Sequence, residues 1–262
     1  MKQPRAKSST SITDTVILMA GSGSRLRAIG NTVPKPLIQI AGRPVFSCTI
    51  ESLKKAGIET VHVVTGSNSD ALLAGLRPLM SAGINLHAIH NPDWQKQNGI
   101  SVLAAAAHVQ SPFLLTMGDH LFEPLIIDLV IQQAELKSLN VAVDRKLNTI
   151  FDLDDAMKVK TKGDQVIAIA KNLQDYDAID IGLFVCSPEI FAYLERAKRN
   201  GDCSLADGVR AMADDAKVRA IDIGDAWWQD IDTPEMLAQA ERALRNLNEG
   251  RMTTSTRDTT AS

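Results

Sequence analysis

A short apolar run that ends in a glycine-rich turn constrains the fold of this chain more than any other segment. Residues 15–20 read TVILMA, and Gly21 and Gly23 follow this run. Apolar, partly β-branched runs of this length are typical of strands that are buried on both faces of a parallel sheet. Glycines after such a strand permit positive φ angles and let backbone N–H groups approach an anion closely. The segment therefore predicts a strand of an α/β fold with a phosphate site at its carboxyl end.

Further strands and helices alternate along the chain. Strand-like apolar runs recur at residues 61–65, 86–89 and 113–117, and residues 45–56 and 71–80 have the apolar spacing of helices. This alternation predicts a mostly parallel, Rossmann-like sheet with helices on both faces. Ligands of such sheets bind at the carboxyl ends of the strands.

The limits of the folded part follow from the polar ends of the chain. Residues 1–13 and 248–262 are polar and lack apolar periodicity. We therefore expect disordered tails at both ends and a single domain over residues 14–247.

The composition indicates a globular protein with a small-molecule ligand. The 262 residues are 45% hydrophobic, and the net charge of −3 argues against nucleic acid as a partner, since a phosphate backbone requires a basic face. No stretch approaches the roughly 18 consecutive apolar residues of a membrane span, and the N-terminus lacks the apolar core of a signal peptide. We therefore expect a cytoplasmic protein without a membrane span. Three widely spaced cysteines suit reduced thiols better than disulfides or a zinc site.

Two basic residues near the turn favour phosphate binding over simpler interpretations of a glycine-rich turn. An ordinary strand–helix connection also contains glycines. The dinucleotide fingerprint requires a third glycine where this chain has Leu26, and the ATPase phosphate loop requires Gly-Lys-Ser/Thr after the turn. Arg25 and Lys35 instead supply positive charge, and the prolines on both sides of Lys35 restrict where its side chain points.

Two acidic segments predict a magnesium site. Residues 114–120 read LLTMGDH, so that an apolar run ends on Asp119, and residues 228–235 read WQDIDTPE. Asp230 and Asp232 occupy alternate positions, on one face of an extended segment, just before a helix expected to start near Pro234. Asp119 could instead cap the helix that follows it, and Asp232 or Thr233 could cap the helix near Pro234. Because Mg²⁺ takes one or two carboxylates together with phosphate oxygens, one carboxylate from each segment would complete a metal site beside the phosphates.

The order of these motifs resembles the signature of the sugar-phosphate nucleotidyltransferase superfamily. The resemblance rests on the strand, AGSGSRL at 20–26, PKPL at 34–37 and AGRP at 41–44. Softer motifs resemble the inositol-1-phosphate cytidylyltransferase family in particular: NGIS at 98–101, MGDH at 117–120, VDRK at 143–146, AMKV at 156–159 and DIGLF at 180–184. The resemblance implies a GT-A-like fold and transfer of CMP from CTP to a phosphorylated polyol, inositol 1-phosphate in the first place, with release of pyrophosphate. Many sugar nucleotidyltransferases have glycine where this chain has Asp232, and this departure points away from hexose phosphates.

The resemblance also assigns roles to residues. It implies catalytic roles for Arg25, Lys35 and Asp119. The expected nucleotide-binding residues are Leu18, Ala20, Gly21, Ser22, Gly23, Ser24, Arg25, Lys35, Asn98, Gly99 and Ser101. The expected acceptor-binding residues are Asp144, Lys171, Asp180 and Gly182, and the expected magnesium ligands are Asp119, Asp230 and Asp232.

Other functions stay open at this point. Phosphocholine or a sugar 1-phosphate could be the acceptor, although aromatic residues make up only 4% of the chain and a choline site needs an aromatic cage. A regulatory domain that binds nucleotide without turnover is a further alternative, against which the joint presence of Arg25, Lys35, Asp119 and Asp230 argues. In the family that the chain resembles, the cytidylyltransferase is often fused to a membrane synthase. Because we expect no membrane span in this chain, we expect any such synthase to be a separate, downstream protein.

Overall fold

In the part of the chain that the structure, a computed structural model, describes, nine strands form one large sheet. The structure describes residues 12–21, 33–67, 69–80 and 83–258, with side chains up to residue 246. The order of strands across the sheet is β5-β4-β1-β6-β11-β8-β12-β10-β9. Their bounds are β1 Asp14–Met19, β4 Thr60–Thr65, β5 Asn85–His90, β6 Phe113–Met117, β8 Leu139–Asp144, β9 Lys158–Lys162, β10 Gln165–Ala170, β11 Ala178–Cys186 and β12 Val218–Asp222.

The sheet has two parts that differ in strand direction. Strands β5, β4, β1 and β6 are all parallel, and we call them the parallel half. Strands β11, β8, β12, β10 and β9 pair in that order, and β9 also pairs with β11, so these five strands form a closed ring of pairings. Only β10 and β11 run against the other seven strands. The prediction of a mostly parallel α/β sheet is therefore confirmed.

Seven α-helices in the described ranges cover both faces of the sheet. They are α1 Val45–Lys55, α2 Ser69–Leu76, α3 Asn98–Ala104, α4 Pro124–Gln133, α5 Glu189–Ala197, α6 Leu205–Asp214 and α7 Pro234–Asp258. Helices α3, α5 and α6 pack in one apolar core with Val16 and Leu18 of β1, whereas α1, α2 and α4 pack in a second core with Ile17. Because side chains alternate between the faces of a strand, β1 is apolar on both faces, as its sequence predicts.

Two small sheets in the described part of the chain lie next to the expected site residues. One begins directly after Asp119 and includes Asp230, and the other begins shortly after Lys35. Strand β7, His120–Phe122, pairs with β13, Trp228–Asp230, in antiparallel register, so that Asp230 lies opposite His120. Strand β2, Gln39–Ile40, pairs with β3, Arg43–Pro44. A third apolar cluster joins these two sheets to the first turns of α7.

Several element boundaries differ from those expected. The predicted helix 71–80 is α2 followed by a short 3-10 helix, Arg77–Leu79, because Pro78 lacks the N–H that would continue the α-helix. Helix α7 starts at Pro234 as predicted, and it continues to Asp258, past the boundary expected at residue 247. The domain limits themselves stay predictions. Among the described helices, none has both the length and the apolar character needed to cross a bilayer.

Candidate active site

A cleft of about 770 Å³ opens beside the carboxyl ends of β1, β6 and β8. Most of the site residues expected from the sequence line it: Leu18, Ala20, Gly21, Lys35, Asn98, Ser101, Asp119, Asp144, Lys171, Asp180, Gly182, Asp230 and Asp232. Gly99 does not. Residues Ser22, Gly23, Ser24 and Arg25 lie outside the described residues, so their roles stay predictions.

Lys35 joins the two acidic segments in the cleft. It begins a short 3-10 helix, Lys35–Leu37, after the extended Pro34. Its Nζ donates to Asp119 Oδ2 at 2.9 Å and to Asp232 Oδ1. Burial works against the charged ammonium, but Asp119 and Asp232 outweigh it and raise the pKa of Lys35. A cation is therefore held between two carboxylates at the sheet edge.

Asp119 is held in its ionised form. Its second oxygen, Oδ1, lies 2.8 Å from His120 Nδ1. Burial alone would raise the pKa of Asp119, but the hydrogen bond from His120 and the charge of Lys35 hold it well below its usual range. The same contact raises the pKa of His120, although burial of the ring opposes this. The carboxylate therefore has positive or proton-donating groups on both oxygens.

Asp230 belongs to the same acidic group but lacks a cation of its own in the described contacts. The backbone N–H of Ile231 donates to the carbonyl of Asp119 at 2.9 Å, which holds the two acidic segments side by side. Gln229 Nε2 donates to Asp230 Oδ1 at 3.0 Å. Burial raises the pKa of Asp230, and the charges of Asp232 and Asp119 raise it further against the opposing effect of His120. These carboxylates repel one another, and a divalent cation would relieve that repulsion.

The donor set suits a metal that is shared with a phosphate. Within the described residues, no three His, Cys, Asp or Glu side chains are arranged to hold a metal ion by themselves. Magnesium usually takes only one or two carboxylates and completes its shell with phosphate oxygens and water. The oxygen donors of Asp119 and Asp230, with Asp232 beside them, fit this kind of site.

Asp144 lines the cleft, but its carboxylate is occupied by protein groups. Oδ2 accepts from Trp228 Nε1 at 2.9 Å, and Oδ1 accepts from the backbone N–H of Lys146 at 2.7 Å. Lys146 Nζ also lies 2.9 Å from Oδ1. The expected contact of Asp144 with acceptor hydroxyls stays a prediction. Sequence reasoning missed Lys146 and Trp228 as partners, although both stand inside the motifs VDRK and WQDID.

Gly99 packs closely against the backbone of another segment, and its expected contact with the nucleobase stays a prediction. A Cβ at this position would lie 2.6 Å from the carbonyl oxygen of Cys203, where α3 meets the start of α6. Asn98 joins the same two helices, since its Oδ1 accepts from the backbone N–H of Leu205 at 2.8 Å. Ser101 Oγ accepts from Asn91 Nδ2 at 3.0 Å. Asn98 and Ser101 also reach the cleft.

The wall formed by the closed ring carries a second lysine and a protonatable carboxyl. Lys171 follows β10 and is more than half exposed, with its Nζ 2.5 Å from Asp155 Oδ1. Lys158, which sequence reasoning missed, is buried behind it and donates to the carbonyl oxygens of Asp154 and Lys171. Burial raises the pKa of Asp180 to about 7, against the opposing hydrogen bond from the Gly182 N–H.

Both the backbone conformation at position 182 and the neighbouring His120 ring require a glycine there. Its φ is +73°, and a Cβ would lie 2.6 Å from His120 Nε2. The ring cannot move away easily, because Asp119 binds Nδ1 and Trp228 stacks on the ring at 6.3 Å between centroids. Gly182 therefore makes room for His120 in the cleft.

Replacing Gly182 with alanine should lower the free energy of unfolding by about 3 kcal/mol or more, since backbone strain and the displaced ring both contribute. Gly57→Ala is the matched control, because Gly57 has a φ of +86° and open space where its Cβ would be. The control should cost only about 1 kcal/mol of backbone strain. Urea denaturation of both variants measures the difference, and equal losses would show that His120 does not crowd this position.

Comparison with known proteins decides the family. A family model described as the MobA-like NTP transferase domain matches residues 15–217. The chain belongs to the MobA-like NTP transferase family. This NTP transferase has the fold and the cleft described above, and the resemblance to nucleotidyltransferases seen in its sequence is confirmed.

Relatives of this NTP transferase include two proteins named "Bifunctional IPC transferase and DIPP synthase". The one from Rubrobacter xylanophilus is 33% identical over 229 residues, which cover 87% of this chain and 51% of the relative. The one from Thermococcus kodakarensis is 33% identical over 231 residues, covering 87% of this chain and 50% of the relative. The chain thus spans about half the length of these relatives.

Solved structures share the fold of this NTP transferase. The inositol-1-phosphate CTP transferase from T. maritima superposes with a TM-score of 0.78 at 24% identity, covering 92% of this chain and 98% of that one. A UDP-glucose pyrophosphorylase complexed with UDP-glucose superposes with a TM-score of 0.76 at 18% identity, covering 90% of this chain and 99% of that one. The GT-A-like nucleotidyltransferase fold expected from the sequence is therefore confirmed.

Proposed function

We propose that this chain transfers CMP from CTP to inositol 1-phosphate, giving CDP-inositol and pyrophosphate. The observation that carries the proposal is the placement of Lys35 between Asp119 and Asp232 in the cleft of an NTP transferase. The choice of substrates is supported by the similarity to the inositol-1-phosphate CTP transferase from T. maritima and by the relatives named IPC transferase. It also agrees with the family resemblance of the sequence.

The proposed reaction is an in-line displacement at the α-phosphorus of CTP. An oxygen of the acceptor's phosphate monoester attacks this phosphorus, the new P–O bond forms, and the bond to the bridging oxygen of the β-phosphate breaks. Pyrophosphate leaves with that electron pair. Because the monoester is largely ionised at neutral pH, no side chain has to remove a proton. Catalysis then depends on holding two anions in line and on stabilising the charge that develops.

Lys35 and the turn after β1 would provide that positive charge. Lys35 is protonated and largely buried, so water screens its charge less than it would at an exposed site. We assign it to the α-phosphate. We assign the β- and γ-phosphates to Arg25 and to the backbone amides of residues 21–24, on the strength of the sequence motif.

We propose Mg²⁺ as the cofactor, held by Asp119 and Asp230. The metal would supply charge neutralisation at the triphosphate oxygens. Asp119 contributes an ionised carboxylate, and Asp230 contributes a carboxylate whose proton affinity is raised by burial and by its acidic neighbours. Asp232, which is paired with Lys35, would keep that lysine in place.

The acceptor would bind against the closed ring of the sheet. Lys171 is an exposed cation at this wall of the cleft and is suited to the acceptor's phosphate. Asp180, with a pKa near 7, can donate or accept hydrogen bonds and is suited to ring hydroxyls. We further propose a cytoplasmic location, which the three free thiols at Cys48, Cys186 and Cys203 support. A downstream membrane synthase stays part of the proposal.

Inositol 1-phosphate with CTP should have a kcat/KM about a hundredfold or more above that of phosphocholine with CTP. A site that hydrogen-bonds hydroxyls leaves its own polar groups unpaired when the acceptor lacks them. Phosphocholine would need an aromatic cage, and the indole of Trp228 is already engaged by Asp144 and His120. Pyrophosphate release, measured with each acceptor and with CTP and UTP in turn, tests this. A preference for phosphocholine, or for glucose 1-phosphate with UTP, would overturn the inositol assignment and leave the nucleotidyltransferase standing.

A further inference from the structure

The small sheet that carries Asp230 is linked to the large sheet through one buried carboxylate. Strand β13 pairs only with β7 among the described strands, and these two strands form a sheet of their own. Asp144, the last residue of β8 in the large sheet, accepts a hydrogen bond from Trp228, the first residue of β13, at 2.9 Å. The side chain of Asp144 is almost fully buried. This contact therefore crosses from one sheet to the other inside the protein.

Lys146 extends the same contact to the loop that precedes β13. Its Nζ lies 2.9 Å from Asp144 Oδ1 and donates to the carbonyl oxygens of Gly224 at 2.5 Å and Ala226 at 3.3 Å. These two carbonyls belong to the connection between β12 and β13. Asp144 and Lys146 thus hold both ends of residues 224–228, one end through backbone carbonyls and the other through the indole of Trp228.

The position of Trp228 bears directly on the acidic group of the cleft. Trp228 and Asp230 lie two residues apart in a strand, so their side chains are on the same face of β13. The indole stacks on the ring of His120, with 6.3 Å between centroids and 17° between planes. His120 in turn holds Asp119 Oδ1. A shift of Trp228 would therefore move the supports of both Asp230 and Asp119.

We propose that Asp144 and Lys146 are positioning residues, which clamp Trp228 and thereby fix Asp230 and His120 in the geometry that the transfer reaction requires. The inference rests on the proposed function for its effect on turnover. The clamp itself contacts protein groups, so its loss should act on kcat with little effect on either KM. A displacement of a catalytic group by about 1 Å, caused by a substitution away from the reacting atoms, is enough to lower a rate by up to a hundredfold.

Two variants and a matched control test the clamp. Trp228→Phe keeps an aromatic ring on His120 and removes the indole N–H, and Lys146→Met removes the ammonium while keeping an unbranched side chain. Arg145→Met is the control, because Arg145 is adjacent to Lys146 but pairs with Asp177 and Asp222 outside the cleft. We expect Trp228→Phe and Lys146→Met to lower kcat about tenfold or more, with the KM for CTP and for inositol 1-phosphate within about twofold of the wild type. Arg145→Met should keep kcat within about twofold, since it touches none of the clamp contacts.

A second readout needs no turnover. The indole N–H resonance of Trp228 in a ¹H–¹⁵N spectrum, assigned by its absence from Trp228→Phe, should shift and exchange faster with solvent in Lys146→Met and stay in place in Arg145→Met. An unchanged indole resonance in Lys146→Met, or an acceptor KM raised tenfold with kcat retained, would overturn the clamp. The second outcome would make these residues direct substrate contacts. If the wild type does not turn over CTP with inositol 1-phosphate, the proposed function fails, and the indole resonance alone decides on the clamp.

Discussion

Asparagine in place of Asp119 is expected to lower turnover by a hundredfold or more while the protein stays folded, which corresponds to about 3 kcal/mol of lost transition-state stabilisation. One carboxylate oxygen of Asp119 accepts a hydrogen bond from Lys35, and the other pairs with His120 Nδ1. The amide of asparagine keeps the shape of the carboxylate but not its charge. Neither a metal nor the lysine would then be held as before.

The measurement is kcat for pyrophosphate release as a function of magnesium concentration. Asp128→Asn is a suitable control, because it makes the same chemical change on the exposed face of α4, away from the cleft. Urea denaturation of both variants separates a loss of chemistry from a loss of folded protein. Near-normal, magnesium-dependent rates in Asp119→Asn would show that Asp119 does not bind the metal.

Alanine in place of Lys35 should lower kcat by about a hundredfold, and far more than it weakens the binding of CTP. The reason is that Lys35 is assigned to charge that grows at the α-phosphate during the reaction, so its contribution is larger in the transition state than in the ground state. Removal of Lys35 also leaves Asp119 and Asp232 without the cation between them. We therefore expect the same variant to bind Mg²⁺ more tightly than the wild type does.

Lys35→Met separates the lost charge from the lost packing, and Lys54→Ala, on the exposed face of α1, is the control for a lysine substitution elsewhere. Calorimetric titration with CTP gives the affinity, and steady-state kinetics give kcat and KM. If CTP affinity and kcat/KM fell by the same factor with kcat unchanged, Lys35 would be a uniform binding residue and not one that stabilises the transition state.

The fold could be predicted wherever a strand is buried on both faces or a helix has one apolar face. Strand β1 is such a case, since Val16 and Ile17 point into opposite cores. No comparable sequence pattern indicates in which direction a strand runs within the sheet. Strand β11, Ala178–Cys186, is as apolar as β1 and yet runs against its neighbours β6 and β8. Direction depends on where the preceding connection leads the chain, and composition does not encode this.

The candidate site could be predicted as a set of residues but not as a set of contacts. The sequence pointed to Lys35 and Asp119 because glycine-rich turns, lysines and strand-end carboxylates have recognisable spacing. It did not reveal that Asp144 accepts a hydrogen bond from Trp228, which lies 84 residues further along the chain. A buried carboxylate near a cleft can face a ligand or a protein donor, and only the packing of distant segments decides which. The close approach of Gly99 to Cys203 could not be predicted for the same reason, since Cys203 lies about a hundred residues further along the chain, before helix α6.

The division of the sheet at the β6–β11 border has a consequence for how such an enzyme can change. Two residues proposed for the triphosphate and its metal follow strands of the parallel half, since Gly21 follows β1 and Asp119 follows β6. Those proposed for the acceptor, Lys171 and Asp180, belong to the closed ring. Substitutions at Lys171 or Asp180 can therefore alter which alcohol phosphate is accepted and leave in place the residues proposed for the nucleotide, unlike a substitution of Asp144 in the same ring. Acceptor specificity can thus diverge among related chains while the nucleotide site is retained.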